Sequence, residues 1–285
     1  TSSSSGVKLW MKENGNSDAY NPNKTMSDVL VESSASGNYD FIRVTYSSLS
    51  DMTSGNSGTI VSTGLGGTGV GTGSINYILD LDGTNDYVSL PNSINMGTSD
   101  FTLSIWVKTD DTGSRQHVFQ QTGSNDNRVI AINSGGSLTS RLGGSGSDHV
   151  SGVTLSTDTW YHIVLVHDNS ANTLKWYVNG TEQNTNTSVN VPSNTGTFYL
   201  GTNSDANDKY FNGQIDEVRI WNDVRTAAEI ADNKDDELVG NESGLVAYYK
   251  MSDGTGTTLT DNSSNSYNGT LTNMTTSGAS TDWVI

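Results

Sequence analysis

The chain has 285 residues, 14 Lys and Arg against 31 Asp and Glu for a formal charge of −17, 32% hydrophobic residues, 31 Gly, 3 Pro and no Cys. That charge excludes the basic footprint nucleic-acid binding needs, no apolar run approaches the length that spans a bilayer, and the absence of Cys excludes disulfide frames, thiolate metal sites and cysteine nucleophiles. The length allows one large all-β domain or two small ones, and the apolar fraction is enough for one core.

The chain opens on Thr1-Ser2-Ser3-Ser4-Ser5 without a Met, which reads as a mature form or an excised fragment. Its acidic, Asn- and Thr-rich composition fits a secreted, extracellular or cell-surface protein. Within residues 1–74, Val7 to Trp10 and Phe41 to Tyr46 read as strands, and Gly55 to Gly73 is a Gly/Thr/Ser tract, either a linker or an ordered loop. The N-terminal strands are expected to dock on a sandwich built by residues 75–285, against the alternative of a separate small unit.

From there strand signals dominate. Phe101 to Lys108 alternates, with Phe101, Leu103, Ile105 and Val107 on one face. Trp160 to Val166 is nearly all apolar, as in a strand covered on both sides. Leu174 to Val178 runs into Asn179-Gly180, a strong hairpin signal. Phe198 to Leu200, Gly213 to Trp221, Leu245 to Lys250 and Trp283 to Ile285 are further strands. One helix signal stands out: Thr226 and Glu229 have capping-box spacing ahead of good helix formers, predicting a short helix over 226–233. The pattern predicts an all-β chain, an antiparallel β-sandwich of jelly-roll type with one short helix near the C-terminal third.

Two segments, Leu79-Asp80-Leu81-Asp82-Gly83-Thr84-Asn85-Asp86-Tyr87-Val88 and Tyr210-Phe211-Asn212-Gly213-Gln214-Ile215-Asp216-Glu217-Val218-Arg219-Ile220-Trp221, bracket Phe101 to Val107, Trp160 to Val166 and Tyr177-Val178-Asn179-Gly180. In this order they resemble the LamG-like jelly-roll domains of the concanavalin A-like lectin/glucanase superfamily, over roughly residues 75–235. The superfamily hosts lectins, adhesins and hydrolases, so the resemblance implies fold more than function. In related jelly rolls a structural calcium often sits in a loop like Asp82–Asp86, near the strand resembling that of Asp216.

Strict alternation places Asp216 on the side of Val218 and Ile220, beside the core, where a lone carboxylate needs a cation or several donors. Calcium held by Asp82, Asp86 and Asp216 is the expected cofactor; the competing reading is an Asx turn at Asp82 and Asp86, with Asp216 accepting backbone N–H groups. Laminarinase-like relatives carry Glu-x-Asp-x-x-Glu on one strand, but Gln214, Asp216 and Arg219 stand at those positions here. An amide and a guanidinium cannot serve as nucleophile and general acid, so no glycosidase chemistry is expected.

The reading that remains is a non-catalytic carbohydrate-binding or adhesion domain, with a glycan or cell-surface polysaccharide as partner. Its rival is a structural or protein–protein interaction module of an extracellular assembly (surface fibre, sheath or virion component), pairing with other modules of it. Sugar binding uses aromatic faces with amide, carboxylate and cationic partners. The candidates are Asn125, Arg128, Arg141, His149, Asp205 and Tyr210, together with Trp106, Trp176 and Trp221, for which core packing is the commoner fate. With so few cations in the chain, arginines among the candidates keep anionic glycans in view.

Overall fold

The structure, a computed structural model, describes residues 77–94, 99–122, 128–142, 148–189, 191, 196–203, 209–277 and 281–284, together with the backbone of five N-terminal strands. The chain divides into two units, Thr1–Ile75 with Asp235–Glu237, and Asn76–Lys234 with Leu238–Ile285. In the first unit, β1 (Val7–Glu13), β2 (Asn16–Asp18), β3 (Asp28–Ser33), β4 (Asp40–Thr45) and β5 (Thr59–Ser62) form one antiparallel sheet in the order β2-β1-β3-β4-β5.

The second unit is the predicted sandwich. Sheet I contains β6 (Ile78–Asp82), β8 (Phe101–Thr109), β13 (Trp160–Asp168), β14 (Thr173–Val178), β15 (Thr181–Thr187), β17 (Asn212–Trp221) and β21 (Trp283–Val284), in the order β15-β14-β13-β8-β17-β6-β21; β18 (Leu245–Tyr249) also pairs with β17. Sheet II contains β7 (Tyr87–Leu90), β9 (Gln116–Gln121), β10 (Arg128–Ile132), β11 (Ser137–Leu142), β12 (His149–Thr154), β16 (Phe198–Leu200), β19 (Thr258–Leu259) and β20 (Gly269–Thr272), in the order β12-β11-β10-β9-β16-β7-β20-β19. Successive strands change sheet, β6 to β7 to β8 and again β16 to β17, which is the jelly-roll crossing.

Alternation supplies the core from both sheets. Leu79, Leu81, Leu103, Ile105, Val107, Ile163 and Leu165 face inward from sheet I against Val88, Leu90, Ile130, Ile132, Phe198 and Leu200 of sheet II. β13 is buried on both sides, as its continuous apolar run predicts. Its outward Val164 and Val166 pack with Tyr177 and with Ile230 of helix α1 (Ala227–Asn233).

The capping box of α1 is formed as its spacing predicts. Thr226 Oγ1 accepts the Glu229 N–H at 3.2 Å, and Glu229 Oε2 accepts the Thr226 N–H at 2.8 Å. The last turn carries no basic residue, and sheet I supplies the missing donors. Arg219 Nη1 donates to the Asn233 carbonyl at 2.6 Å and Trp106 Nε1 to the Lys234 carbonyl at 2.9 Å. Free carbonyls and the negative end of the helix dipole are thereby satisfied from outside the helix.

β17 corrects the expectation for Asp216. Glu217 takes a left-handed backbone (φ 50°), and the register against β8 shifts between Asp216 and Arg219. This is a bulge, in which one extra residue breaks the alternation. Ile215 and Val218 therefore both reach the core, while Asp216 pairs with Trp106 on the outer face. The bulge is also where one edge of β17 changes partner, from β6 (through Ile215) to β18 (from Val218).

Besides Asp86, the carboxylate buried among the described residues is Asp261, 6% exposed. Its Oδ1 accepts the N–H of Tyr248 (2.9 Å) and Ser263 (2.8 Å), and its Oδ2 accepts the Tyr267 N–H (2.7 Å) and the Ser263 hydroxyl (2.8 Å). Four donors meet the cost of desolvating the charge. Asp261→Ala is expected to destabilise the fold by about 1–3 kcal/mol, because it leaves those donors unpaired. Trp283→Ala, which empties a site 1% exposed on the last strand, is expected to cost about 3–5 kcal/mol. Denaturant melts measure both, and a loss below ~0.5 kcal/mol would contradict the packing described.

Candidate functional site

The outer face of sheet II gathers polar groups at one end because β9 also carries a bulge. Its register against β10 passes from Phe119 to His117, skipping Val118. Val118 and Phe119 both enter the core. His117 and Gln120, three positions apart, then share the outer face, and His117 Nδ1 lies 2.6 Å from Gln120 Oε1. Regular alternation would put them on opposite faces.

Around this pair stand Arg115 before β9, Asn133 after β10, Arg141 on β11 and Asp148 before β12. Arg115 donates through Nη1 to Asn133 Oδ1 (2.7 Å) and Asp148 Oδ2 (2.6 Å), and through Nε to His117 Nε2 (3.3 Å). Arg141 donates through Nε to Asp148 Oδ1 at 2.9 Å, and its Nη2 lies 2.9 Å from the same oxygen in an ion pair. Two guanidiniums thus hold one carboxylate, with side-chain exposures of 24% for Arg115, 19% for Asp148 and 42% for Arg141. Burial pushes the Asp148 carboxyl up, but the hydrogen bonds and charges of the two arginines outweigh it and hold its pKa below the ordinary range. Burial lowers the imidazole pKa of the neighbouring His149, against the opposing pull of Asp148.

Gln120, Val129 and Thr139, in the middle of the face, are buried. Further along it, Tyr199, cross-strand neighbour of Gln120, meets Tyr87 edge to face at 5.9 Å between ring centres.

Of the residues expected to bind a ligand, Arg141 lies in this cluster and the half-buried His149 directly follows Asp148. Tyr210 follows Lys209, whose carbonyl accepts the His117 N–H at 3.0 Å. Arg128, expected to bind a ligand, instead opens β10 as a buried strand residue. It is 1% exposed, turns inward to donate to Gln121 Oε1, and sits 5.5 Å over the Phe101 ring. Asn125 and Asp205 lie outside the described residues. Trp176 is in the core, Trp221 packs against Leu238, Leu245 and Tyr248, and Trp106 meets His162 at a tilt, its indole N–H bound to the Lys234 carbonyl after α1. His162, 2% exposed, is likewise a packed residue, 2.8 Å from Ser104 Oγ.

Asp82 and Asp86 form the Asx-type turn between β6 and β7. Asp82 Oδ1 accepts the N–H of Thr84 (2.7 Å) and Asn85 (3.3 Å), and Asp86 Oδ2 accepts the Asp82 N–H (3.2 Å). Gly83 takes φ 72°, and a Cβ there would lie 2.6 Å from the Asn212 Cβ. Burial, with the charges of Asp82 and Asp282, pushes Asp86 up to about 6. The strand opposite Asp82 presents Asn212, and Asp216 lies four residues further on, about 13 Å along the strand. Asp82, Asp86 and Asp216 therefore do not converge on one ion, which corrects the expected ligand set. Among the described residues no group of three His, Cys, Asp or Glu side chains is placed to hold a metal.

Arg115, His117, Gln120, Asn133 and Asp148 were not among the sequence candidates. Arg115 and Asp148 are 33 residues apart, and no local motif marks either.

A family model described as the concanavalin A-like lectin/glucanases superfamily matches residues 82–231. The comparison with curated proteins gives no match. Among solved structures, the chain is similar to a proposed carbohydrate-binding protein from Bacteroides ovatus, with TM-score 0.59 and 22% identity over 99% of this chain and 81% of that one. It is more distantly similar to a heptameric pentraxin from Limulus polyphemus, with TM-score 0.44 and 15% identity over 55% of this chain and 80% of that one. A third is domain 4 of the extracellular arabinanase AbnA from Geobacillus stearothermophilus, with TM-score 0.41 and 18% identity over 79% and 86%. At these identities the likeness is one of fold.

Asp148 and Asp86 are expected to bend the pH–stability curve in opposite directions. The folded pKa of Asp148 is depressed, so its contribution is present above the unfolded value near 3.8 and is lost as pH falls through the folded value. Asp148→Asn should lower stability at pH 7 by about 1–3 kcal/mol and converge with the wild type in acid. The folded pKa of Asp86 is raised from 3.8 to about 6, so its contribution is full below pH 4 and lost as pH rises through 6. Asp86→Asn in chelator should therefore gain relative to the wild type above pH 6, by a few kcal/mol at most. Urea midpoints across pH 3–8 check both signs.

Proposed function

Because the chain belongs to the concanavalin A-like lectin/glucanases superfamily, we propose that it is a non-catalytic carbohydrate-binding domain of a secreted or cell-surface protein, and that its ligand site is the Arg115–Asp148–Arg141 end of sheet II. The observation that carries this reading is the cluster itself. Donors and acceptors are fixed by mutual hydrogen bonds at a partly open surface, beside amide and imidazole groups. Sugar hydroxyls need both kinds of partner, and groups already held in place lose little entropy on binding.

The non-catalytic reading is supported by β17. A retaining glycosidase needs two carboxyls about 5–5.5 Å apart. At the positions of the two expected glutamates stand Gln214 and Arg219, the latter 4% exposed and paired with Glu217. The extracellular setting agrees with the composition, and among the described residues no helix is long and apolar enough to cross a membrane.

Calcium stabilisation is proposed at the Asp82–Asp86 turn alone. A carboxyl raised first by burial and then by two neighbouring carboxylates gains from a dication, and turn carbonyls and water can complete an oxygen shell. A ligand bound only by the folded state at 100 times its Kd adds about 2.7 kcal/mol.

On a glycan array, binding is expected that falls at least ~10-fold in Asp148→Ala, the equivalent of about 1.4 kcal/mol. No binding to any glycan, or binding indifferent to Asp148, would refute the site. Metal-stripped protein should melt several degrees higher with millimolar Ca²⁺ at matched ionic strength, and Asp86→Asn should lose that gain; superimposable melts would remove calcium from the account.

A further inference from the structure

We propose that the sugar taken by the Arg115–Asp148–Arg141 site is an acidic one, a saccharide carrying a single carboxylate that lies on the outward donors of Arg141 and Arg115. This rests on the glycan-binding reading above and narrows its ligand class.

The argument begins with charge. The chain has 14 Lys and Arg against 31 Asp and Glu, yet two of those cations converge on one carboxylate at 2.6 and 2.9 Å. One Asp neutralises one Arg, so the trio carries a surplus positive charge at a partly open surface. A single acidic group would balance the trio.

The donors come next. A guanidinium has five N–H donors and no acceptor. Arg141 gives its Nε–H to Asp148 Oδ1, with Nη2 in ion-pair contact with the same oxygen, and its side chain is 42% exposed. Donors remain on the solvent side. Arg115 is fixed by Asn133, His117 and Asp148, so its plane is set before a ligand arrives. Asp148 is a positioning residue here: it holds both guanidiniums and leaves the exposed side of Arg141 to the ligand. A guanidinium edge suits a planar two-oxygen acceptor, which a carboxylate is.

The whole chain sets an upper limit on the ligand's charge. A formal charge of −17 repels polyanions at long range. The site therefore favours one isolated acid group on an otherwise neutral oligosaccharide over a densely charged chain. It also follows that added salt, by screening the long-range repulsion, weakens binding far less than it does for a basic glycan-binding surface.

The test uses the full chain and three trisaccharides of one backbone: neutral, with one terminal glucuronic acid, and with one sulfate in its place. Calorimetry is expected to show the glucuronate form binding at least ~10-fold more tightly than the neutral form, with the sulfate between them. Arg141→Ala should erase this preference, read as the ratio of the acidic and neutral affinities within the same variant, and Arg141→Lys should restore only part of it. Thermal melts of both variants confirm folding, since Arg141 is the more exposed of the pair. Equal affinity for the acidic and neutral forms, or a preference that survives Arg141→Ala, overturns the proposal and leaves the glycan reading standing. A sulfate preference over carboxylate overturns the carboxylate assignment. Failure of all three sugars and of a wider array overturns the glycan reading itself.

Discussion

The extra residue at Asp216–Glu217 in β17 is the constraint on which the second unit turns. β17 lies at the centre of sheet I and has to serve two partners along one edge, β6 on one side of the bulge and β18 on the other. A straight strand would keep a single alternation and drive Asp216 into the core. The left-handed backbone at Glu217 absorbs one residue and resets the phase, so Ile215, Val218 and Ile220 all reach the apolar interior. The conformational strain of a non-glycine residue there is offset by what Glu217 binds. Its carboxylate accepts from Arg219 and from the Tyr248 hydroxyl at 2.7–2.9 Å.

The same reset determines what covers sheet I. With the phase shifted, Arg219 and Trp221 turn outward into the layer beneath α1. Arg219 there binds the helix's terminal carbonyl, and Arg225 stacks over Trp221 at 4.3 Å while pairing with Glu229 at 2.8 Å. A two-turn helix is too short to persist alone. It persists because its N-terminus is capped from within and its C-terminus from the sheet. The part of this face around Trp106, Arg219 and Trp221 is consequently occupied by the protein itself.

The Arg115–Asp148–Arg141 end of sheet II depends on a bulge as well. Skipping Val118 brings His117 and Gln120 together and fixes the Nε2 that Arg115 contacts. Both bulges do comparable work: each keeps an apolar pair in the core and delivers a polar pair to the outer face. Asp261, a second buried acid beside Asp86, shows the complementary solution: four protein donors satisfy its carboxylate.

Local pattern alone determined the elements. Alternation in Phe101 to Lys108, the double-sided run at Trp160 to Val166, the Asn179-Gly180 turn and the Thr226–Glu229 capping box are all interactions among near neighbours, and each appears where the sequence puts it. The sandwich follows, because strands with one apolar face have nowhere else to bury it. Only the tertiary structure decided the phase of β17 and of β9, since a bulge depends on which partner lies alongside, and that partner is far away in sequence. For the same reason Arg128, a ligand-binding candidate by sequence, is an inward strand residue over Phe101, and Asp216 faces away from the core its spacing pointed to. The cluster of Arg115, Arg141 and Asp148 carries no local signature at all. Its members sit on separate strand ends, and the contact that unites them exists only once β9 to β12 are laid side by side.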